Sequence, residues 1–379
     1  MKKVMILTAS TGEGHNAAAK SLQDKYEEKG YITYKVDFLK ESSSVMNTLV
    51  ADGYRVIAQN FPNVYGIMYE TADRKNFNKL TRGGYYTIER RIINRLEEVK
   101  PDIVIATHPF AVGLIDHLKR KNKADFRFMQ VVTDFKAHYS YISSNVDAYI
   151  TGSEYTKKTL IERNVPEDRI YPYGIPVNKE FQEHSDPRYI RPGLNKRFHV
   201  LVMGGSMGSK DIYKVVERLV VDSENYYLDV VCGRNKILFD TLTKKYNHAI
   251  CAGKITIHGF TRKIPEMMDE ADVIVTKPGG LTTTEALSKK LPMIIPFAIP
   301  GQEQENTDFL VKEGVAIRVD EIESLPDRLE YLRKNPRLYN RMVSNMKRIS
   351  DKYSIDKIVD LSETLISERG QPYKRLALR

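Results

Sequence analysis

The sequence predicts an α/β protein made of two successive β/α modules, each a parallel sheet covered on both faces. Three observations carry this reading. Short, nearly continuous apolar runs recur between stretches of helical periodicity, polar glycine-bearing turns follow several of those runs, and the pattern breaks once and then restarts. In the first module Lys3–Thr8 reads as a buried strand, 11–16 as a polar glycine turn and Ala17–Lys29 as a helix. Strands are expected at 31–38, at 102–107 between Pro101 and Pro109, at 127–132 and at 148–151. Gly174, Pro176, Pro187, Pro192 and Gly193 then cluster among charges, which marks a linker. Strands resume at 198–203, 227–232, 255–258, 273–276, 293–295 and 316–319, with a helix at 210–220 and helical character from about Arg337 onward. The expected organisation is a first domain over 1–175, a linker over 176–196, a second domain over 197–345, and a C-terminal helix with a basic tail over 346–379 that packs back on the first domain.

Composition narrows the function classes. A chain of 379 residues, 28% of them charged, is expected to form about two soluble globular domains. Cys232 and Cys251 match no metal-ligand spacing and read as reduced thiols. The apolar run after Met1 is too short for a signal peptide, and no run is long enough to span a bilayer, so a cytoplasmic or peripheral protein is expected. The net charge of +10 is concentrated between Arg55 and Arg95, where basic residues including Arg82, Arg90 and Arg91 alternate with aromatics such as Tyr85. Cations and rings together suit an anionic lipid surface, although a solvated helical face with core aromatics has the same look. Nucleic acid is disfavoured, because no helix-turn-helix, zinc finger or ribonucleoprotein signature accompanies the charge.

The motifs that carry chemistry fall at strand ends. Strand 273–276 runs into Lys277-Pro278-Gly279-Gly280, then into a helix whose first residues include Thr282 and Glu285. Glycines allow close backbone approach, a helix N-terminus offers free N–H groups to a diphosphate, and Glu285 can accept both hydroxyls of a ribose. Gln302, Glu303 and Asn306 follow at a distance suited to reading a hexose. This is a sugar-nucleotide pocket in outline. Gly204-Gly205-Ser206 after strand 198–203 adds a second amide-rich turn; it is neither a Walker loop nor a dinucleotide fingerprint. Arg234 is the cation nominated for the leaving diphosphate.

The other module carries Ser10 to Asn16, with Gly14 and His15 at the start of a helix. A helix N-terminus favours the neutral imidazole, so His15 is the candidate general base; an exposed histidine in a capping turn is the plainer alternative. Asp134 is placed to orient or supplement that base, and His108 before Pro109 is held as an acceptor-site residue or a simple turn former. No His/Asp/Glu cluster has zinc spacing and no Asp-x-Asp appears, so no metal or other cofactor is expected.

These residues resemble a known family. The turn from Gly12 to His15, Thr133-Asp134-Phe135 with His138, Lys277-Pro278-Gly279-Gly280 through Glu285, and Pro300-Gly301-Gln302-Glu303 through Asn306 are similar to the monogalactosyldiacylglycerol synthases and the bacterial processive diacylglycerol glucosyltransferases. The resemblance spans almost the whole chain. It implies a GT-B fold, two Rossmann-like domains facing across a cleft, and inverting transfer without a metal. It puts the base on His15, its aspartate on Asp134, the ribose carboxylate on Glu285, and sugar reading on Gln302 and Glu303. Two departures stand out. Tyr141 occupies the position where plant-type relatives have tryptophan, and Glu13 lies between the two glycines.

The expected activity is transfer of glucose or galactose from a UDP-sugar to diacylglycerol or its glycosylated product at an anionic membrane. N-acetylglucosaminyl transfer to a polyprenyl acceptor, a non-catalytic UDP-sugar sensor and a UDP-sugar epimerase are the alternatives.

Overall fold

A computed structural model describes residues 1–10, 13–38, 40, 66–67, 69–71, 73–74, 82–121, 126–183, 189, 197–205, 211–221 and 224–368, excluding the side chains of 82–87 and 221. The chain divides into two compact units, one of residues 1–178, 299–302 and 352–379, the other of 179–298 and 303–351.

The first unit contains β1 (Lys3–Thr8), α1 (Glu13–Glu28), β2 (Ile32–Asp37), α2 (Arg82–Val99), β3 (Ile103–Ala106), α3 (Pro109–Arg120), β4 (Arg127–Val131), β5 (Ala148–Ile150), α4 (Glu154–Ile161) and β6 (Ile170–Tyr171). Its six strands are parallel in the order β2-β1-β3-β4-β5-β6. The apolar runs are continuous because both faces are covered. Met5, Leu7, Val104 and Phe128 pack against Ile92 of α2 and Ile115 of α3, while Val4, Ile6, Ile105 and Met129 pack against Leu22 of α1. The second face is completed by the helix Ile355–Ser367, whose Ile358 and Val359 join it. Two expectations are corrected. The short strand β6 was not foreseen, since two residues are too few to show alternation, and α1 begins at Glu13 rather than Ala17, which puts His15 inside the first helical turn.

The second unit contains β7 (Phe198–Met203), α5 (Asp211–Val221), β8 (Tyr226–Val231), α6 (Lys236–Lys245), α7 (Asn247–Cys251), β9 (Ile255–His258), α8 (Ile264–Glu270), β10 (Val273–Thr276), α9 (Gly280–Lys289), β11 (Met293–Ile295), α10 (Gln302–Lys312), β12 (Ala316–Arg318), α11 (Leu325–Lys334) and α12 (Pro336–Ser350); Gln302 alone of these groups with the first unit. Its parallel sheet runs β12-β11-β10-β7-β8-β9. Val200, Val202, Leu228 and Val230 bury one face against Ile212 and Val216 of α5 and Met342 and Val343 of α12.

Helix α13 (Ile355–Ser367) returns to the first unit. Ile358 and Val359 join the α1 face of its core, Tyr26 shares a hydrogen bond with Ser362, and Arg127 Nε donates to the Leu365 carbonyl at 3.0 Å. Gly174 seats the chain that leads into this helix. Its φ is +90°, and a Cβ there would lie 2.6 Å from Cγ and Cδ1 of Tyr353, whose hydroxyl donates to the Gly152 carbonyl at 2.7 Å. Gly174→Ala is therefore expected to cost roughly 2–4 kcal/mol, strain plus overpacking. Gly30→Ala, at φ +81° with nothing within 4 Å of the added carbon, meets strain alone and should cost about 1 kcal/mol. Urea unfolding of the two variants checks the difference.

In each sheet the strand order reverses once, between β1 and β3 and between β7 and β10. Ligands of open α/β sheets bind beyond the carboxyl ends of the strands at such switch points. The two groups of candidate residues occupy them.

Candidate active site

At the first switch point, His15 in α1 reaches the end of β3. Its Nδ1 lies 2.7 Å from the Thr107 carbonyl oxygen. A carbonyl can only accept, so Nδ1 carries the proton and Nε2 keeps its lone pair. Among the described residues Nε2 has no hydrogen-bond partner. Burial lowers the imidazole below the ordinary histidine range, and the Asp134 charge and the Thr107 carbonyl only partly oppose it. Burial, rather than the helix end invoked from the sequence, is the main cause of that lowering. Gly14, the preceding residue, is partly buried in the same turn.

His108 stands beside His15, ring centroids 4.4 Å apart in an edge arrangement. It caps α3, its Nδ1 accepting from the Phe110 amide at 3.2 Å, which is the turn role the sequence allowed for it. Burial, with His15 and His138 nearby, holds His108 well below the histidine range. A second imidazole that resists charging keeps the surroundings of His15 neutral.

Asp134, just past β4, makes no direct hydrogen bond to His15. Its Oδ2 accepts from the Tyr141 hydroxyl at 2.7 Å and lies 3.7 Å from His138 Nε2, and its Oδ1 accepts from Gln302 Nε2. Burial opposes ionisation of Asp134, but the nearby His138 and the hydrogen bond from Tyr141 outweigh it and hold the carboxyl below its ordinary range. Gln302, nominated to read the sugar, is thus engaged with the carboxylate of the first unit here. Sequence reasoning passed over Thr107 and Thr133 as site residues and noted Tyr141 only as a substitution. Thr107 offers the imidazole its main-chain carbonyl, for which side-chain identity holds no signal, while its hydroxyl donates to the His15 carbonyl at 3.1 Å.

At the second switch point, Gly205 follows β7 at φ +77°, and a Cβ there would lie 3.5 Å from Cε of Lys277 beyond β10. Gly279 is the N-cap of α9; no side chain caps the helix, and the space a Cβ at 279 would fill is empty. The first N–H groups, beginning with buried Gly280, therefore present a positive helix end that no capping side-chain bond satisfies among the described residues. Thr282 lies partly buried in the first turn, and the neighbouring Thr283 hydroxyl is buried with no hydrogen-bond partner among the described residues. Glu285, one turn further, is partly buried and has no hydrogen-bond or ion-pair partner among the described residues; desolvation pushes its carboxyl up to about 7. Glu303 is paired with Lys277, Nζ to Oε1 2.7 Å. Asn306 is fully buried and donates from Nδ2 to the Pro278 carbonyl at 2.9 Å, so its amide braces the turn from within. Arg234 projects beyond β8 with its guanidinium 5.1 Å from the ring centroid of Phe260, which is 55% exposed beyond β9. Lys277 and Phe260 were not nominated from the sequence, although Lys277 sits inside the motif that was.

Arg90 and Arg91 are exposed on α2, opposite buried Ile88 and Ile92. Ser206 and the side chains of Arg82 and Tyr85 lie outside the described residues.

Comparisons with known proteins bear on the family and the fold. Residues 15–177 match the profile of monogalactosyldiacylglycerol (MGDG) synthase, and residues 199–358 match the glycosyltransferase family 28 C-terminal domain. MurG of Acinetobacter baumannii superposes with a TM-score of 0.63 at 15% identity, covering 96% of this chain and 100% of that one. The S. aureus MnaA–UDP co-structure gives 0.60 at 14% identity, covering 98% and 100%. The fold is that of GT-B glycosyltransferases, two Rossmann-like domains, and the matched profiles make the protein a glycosyltransferase. The processive diacylglycerol β-glucosyltransferase of Bacillus subtilis (strain 168) is 30% identical over 352 residues, 91% of each chain, and that of Bacillus licheniformis is 29% identical over 379 residues, 97% of each. The chain belongs to this processive diacylglycerol β-glucosyltransferase family.

Proposed function

We propose that the protein transfers a glucosyl group from UDP-glucose to the hydroxyl of diacylglycerol or of its glucosylated product, with inversion at the anomeric carbon. The observation that carries the reading is His15: its Nδ1 proton is committed to a backbone carbonyl, and Nε2 is left as an unprotonated acceptor. Nε2 takes the acceptor hydroxyl's proton while that oxygen attacks the anomeric carbon from the face opposite the diphosphate. The bond from the anomeric carbon to the diphosphate oxygen breaks, and UDP leaves with its electron pair. The uncapped N-terminus of α9 and the turn at Gly205 receive the leaving charge, Glu285 takes the ribose hydroxyls, and the exposed ring of Phe260 offers a plane for the base. A sensor needs no base, and this histidine favours catalysis over the sensor reading.

Acceptors of this kind stay in the bilayer, so the protein is proposed to work at the cytoplasmic membrane face, with the cationic face of α2 at Arg90 and Arg91 contributing to attachment. Among the described residues no helix is long and apolar enough to cross a membrane. The experiment is product formation on anionic vesicles carrying diacylglycerol, with labelled UDP-glucose, UDP-galactose and UDP-N-acetylglucosamine in parallel and EDTA in one arm. Glucolipid from UDP-glucose, formed with or without EDTA, is the expected result. Product from another donor, or UDP-sugar binding with no lipid product, would overturn it.

The Lys277–Glu303 pair yields a separate prediction. Removing the ammonium takes from almost buried Glu303 the cation that lies 2.7 Å from its Oε1. Lys277→Met is expected to raise the KM for UDP-glucose by about 10-fold or more, the range set by one hydrogen bond to a charged group. Initial rates against donor concentration measure it.

A further inference from the structure

We infer that Thr133 and Tyr141 form a one-way hydrogen-bond relay from His15 to Asp134, which positions the base and supports the positive charge it acquires. The inference rests on the reading of His15 as that base. Four contacts define the path: His15 Nδ1 to the Thr107 carbonyl at 2.7 Å, His15 Nδ1 to Thr133 Oγ1 at 3.1 Å, Thr133 Oγ1 to the Tyr141 hydroxyl at 3.1 Å, and the Tyr141 hydroxyl to Asp134 Oδ2 at 2.7 Å.

Chemistry fixes the direction of every proton in this chain. Asp134 is held ionised and can only accept, so Tyr141 donates to it. The Tyr141 oxygen is then free to accept, and Thr133 donates to it. The Thr107 carbonyl can only accept, so His15 Nδ1 carries a proton, which Thr133 Oγ1 shares as a second acceptor. Each donor points toward the carboxylate. When Nε2 takes a proton from the acceptor, the new charge polarises the chain toward Asp134 without any proton leaving Nδ1.

The burial of the parts supports the assignment. Thr133, Asp134 and Tyr141 are 6%, 4% and 0% exposed, so the path is shielded from water that would short-circuit it. A tyrosine is needed at 141 for this arrangement because its hydroxyl donates and accepts at one atom; phenylalanine fills the same space and does neither. Among the described residues His108, at the cap of α3, packs against His15, and His138, on the loop after β4, bonds Ser140 at 2.5 Å through Nδ1 while its Nε2 stays 3.7 Å from Asp134 Oδ2, farther than the Tyr141 hydroxyl at 2.7 Å.

The test pairs kinetics with nitrogen NMR of the histidines in the full chain, using Tyr141→Phe, Thr133→Val, the double variant and Thr133→Ser. In the wild type His15 is expected as the Nδ1–H tautomer. Tyr141→Phe and Thr133→Val should each lower kcat by about 10-fold, a part of the about 10²–10⁴-fold that a general base contributes, with the donor KM little changed. Each should also shift the acid limb of kcat/KM to lower pH, because the imidazolium loses support. The double variant should be no worse than either single one, as expected for links of one chain. Thr133→Ser should recover most of the rate lost in Thr133→Val. An Nε2–H tautomer in the wild type, additive losses, or an unmoved acid limb in Tyr141→Phe would overturn the relay. UDP binding and thermal unfolding identify any variant that fails to fold. If the wild type makes no glucolipid, that result falls on the proposed function, and the tautomer still decides the relay.

Discussion

His15→Ala is expected to lower kcat by about 10²–10⁴-fold, the contribution of a positioned general base, while UDP binding stays as in the wild type. The separation follows from where the parts lie. His15 belongs to the first unit, held by the Thr107 carbonyl, whereas the uncapped helix α9, Gly205 and Glu285 belong to the second. Single-turnover transfer on diacylglycerol vesicles and calorimetric UDP titration measure the two quantities on one sample. The wild-type pH profile supplies an independent check. Catalysis needs the neutral imidazole, and burial lowers its pKa, so kcat/KM should hold its plateau below the ordinary histidine value of about 6.5 and fall only at more acid pH. A wild-type limb above that value, or an alanine variant with full activity, would assign the base elsewhere.

Glu285→Gln is expected to weaken UDP-glucose binding by roughly 10–100-fold, the loss from hydrogen bonds to a charged acceptor. Its carboxyl is raised to about 7 by desolvation and lacks a protein partner among the described residues. Two ribose hydroxyls donating to it would stabilise the ionised form, so binding lowers its pKa and releases a proton. The sign follows. Affinity for UDP-glucose, whose diphosphate has no group titrating near neutrality, should rise with pH through about 7 and level off above it. Calorimetry in buffers of different ionisation enthalpy counts the proton, and the glutamine variant should release none. The unliganded variant should be no less stable than wild type above neutral pH, because an ionised, desolvated carboxylate costs the folded state free energy as pH rises toward its raised pKa. Weaker binding together with lower stability would point to a structural role instead.

Much of the layout was legible because short-range physics wrote it. Lys3–Thr8, Phe198–Met203, Ile255–His258, Val273–Thr276 and Met293–Ile295 are strands over the residues their apolar runs predicted. A strand buried on both faces must be apolar throughout, and that is visible locally. The turn at Gly279-Gly280 was legible because a helix start after a buried strand has few alternatives. Asn306 shows the limit. Its position in the motif suggested a ligand contact; in the fold its Nδ2 donates to the Pro278 carbonyl, a partner that becomes evident only when α10 lies against the β10 turn.

The sequence by itself determined the fold class, the two β/α modules, and the residue types at each strand end, since these depend on periodicity and turn chemistry within a few residues. Tertiary structure alone decided the strand orders, and through them the switch points that join β1 to β3 and β7 to β10. Pairing of strands so far apart in the chain is settled by packing across the whole sheet, which no local pattern encodes. The same crossing brings Thr107, 92 residues away, and Thr133, 118 residues away, to one nitrogen of His15. A histidine after a glycine turn can be read from sequence; which nitrogen holds the proton is set by the carbonyl that folding places beside it.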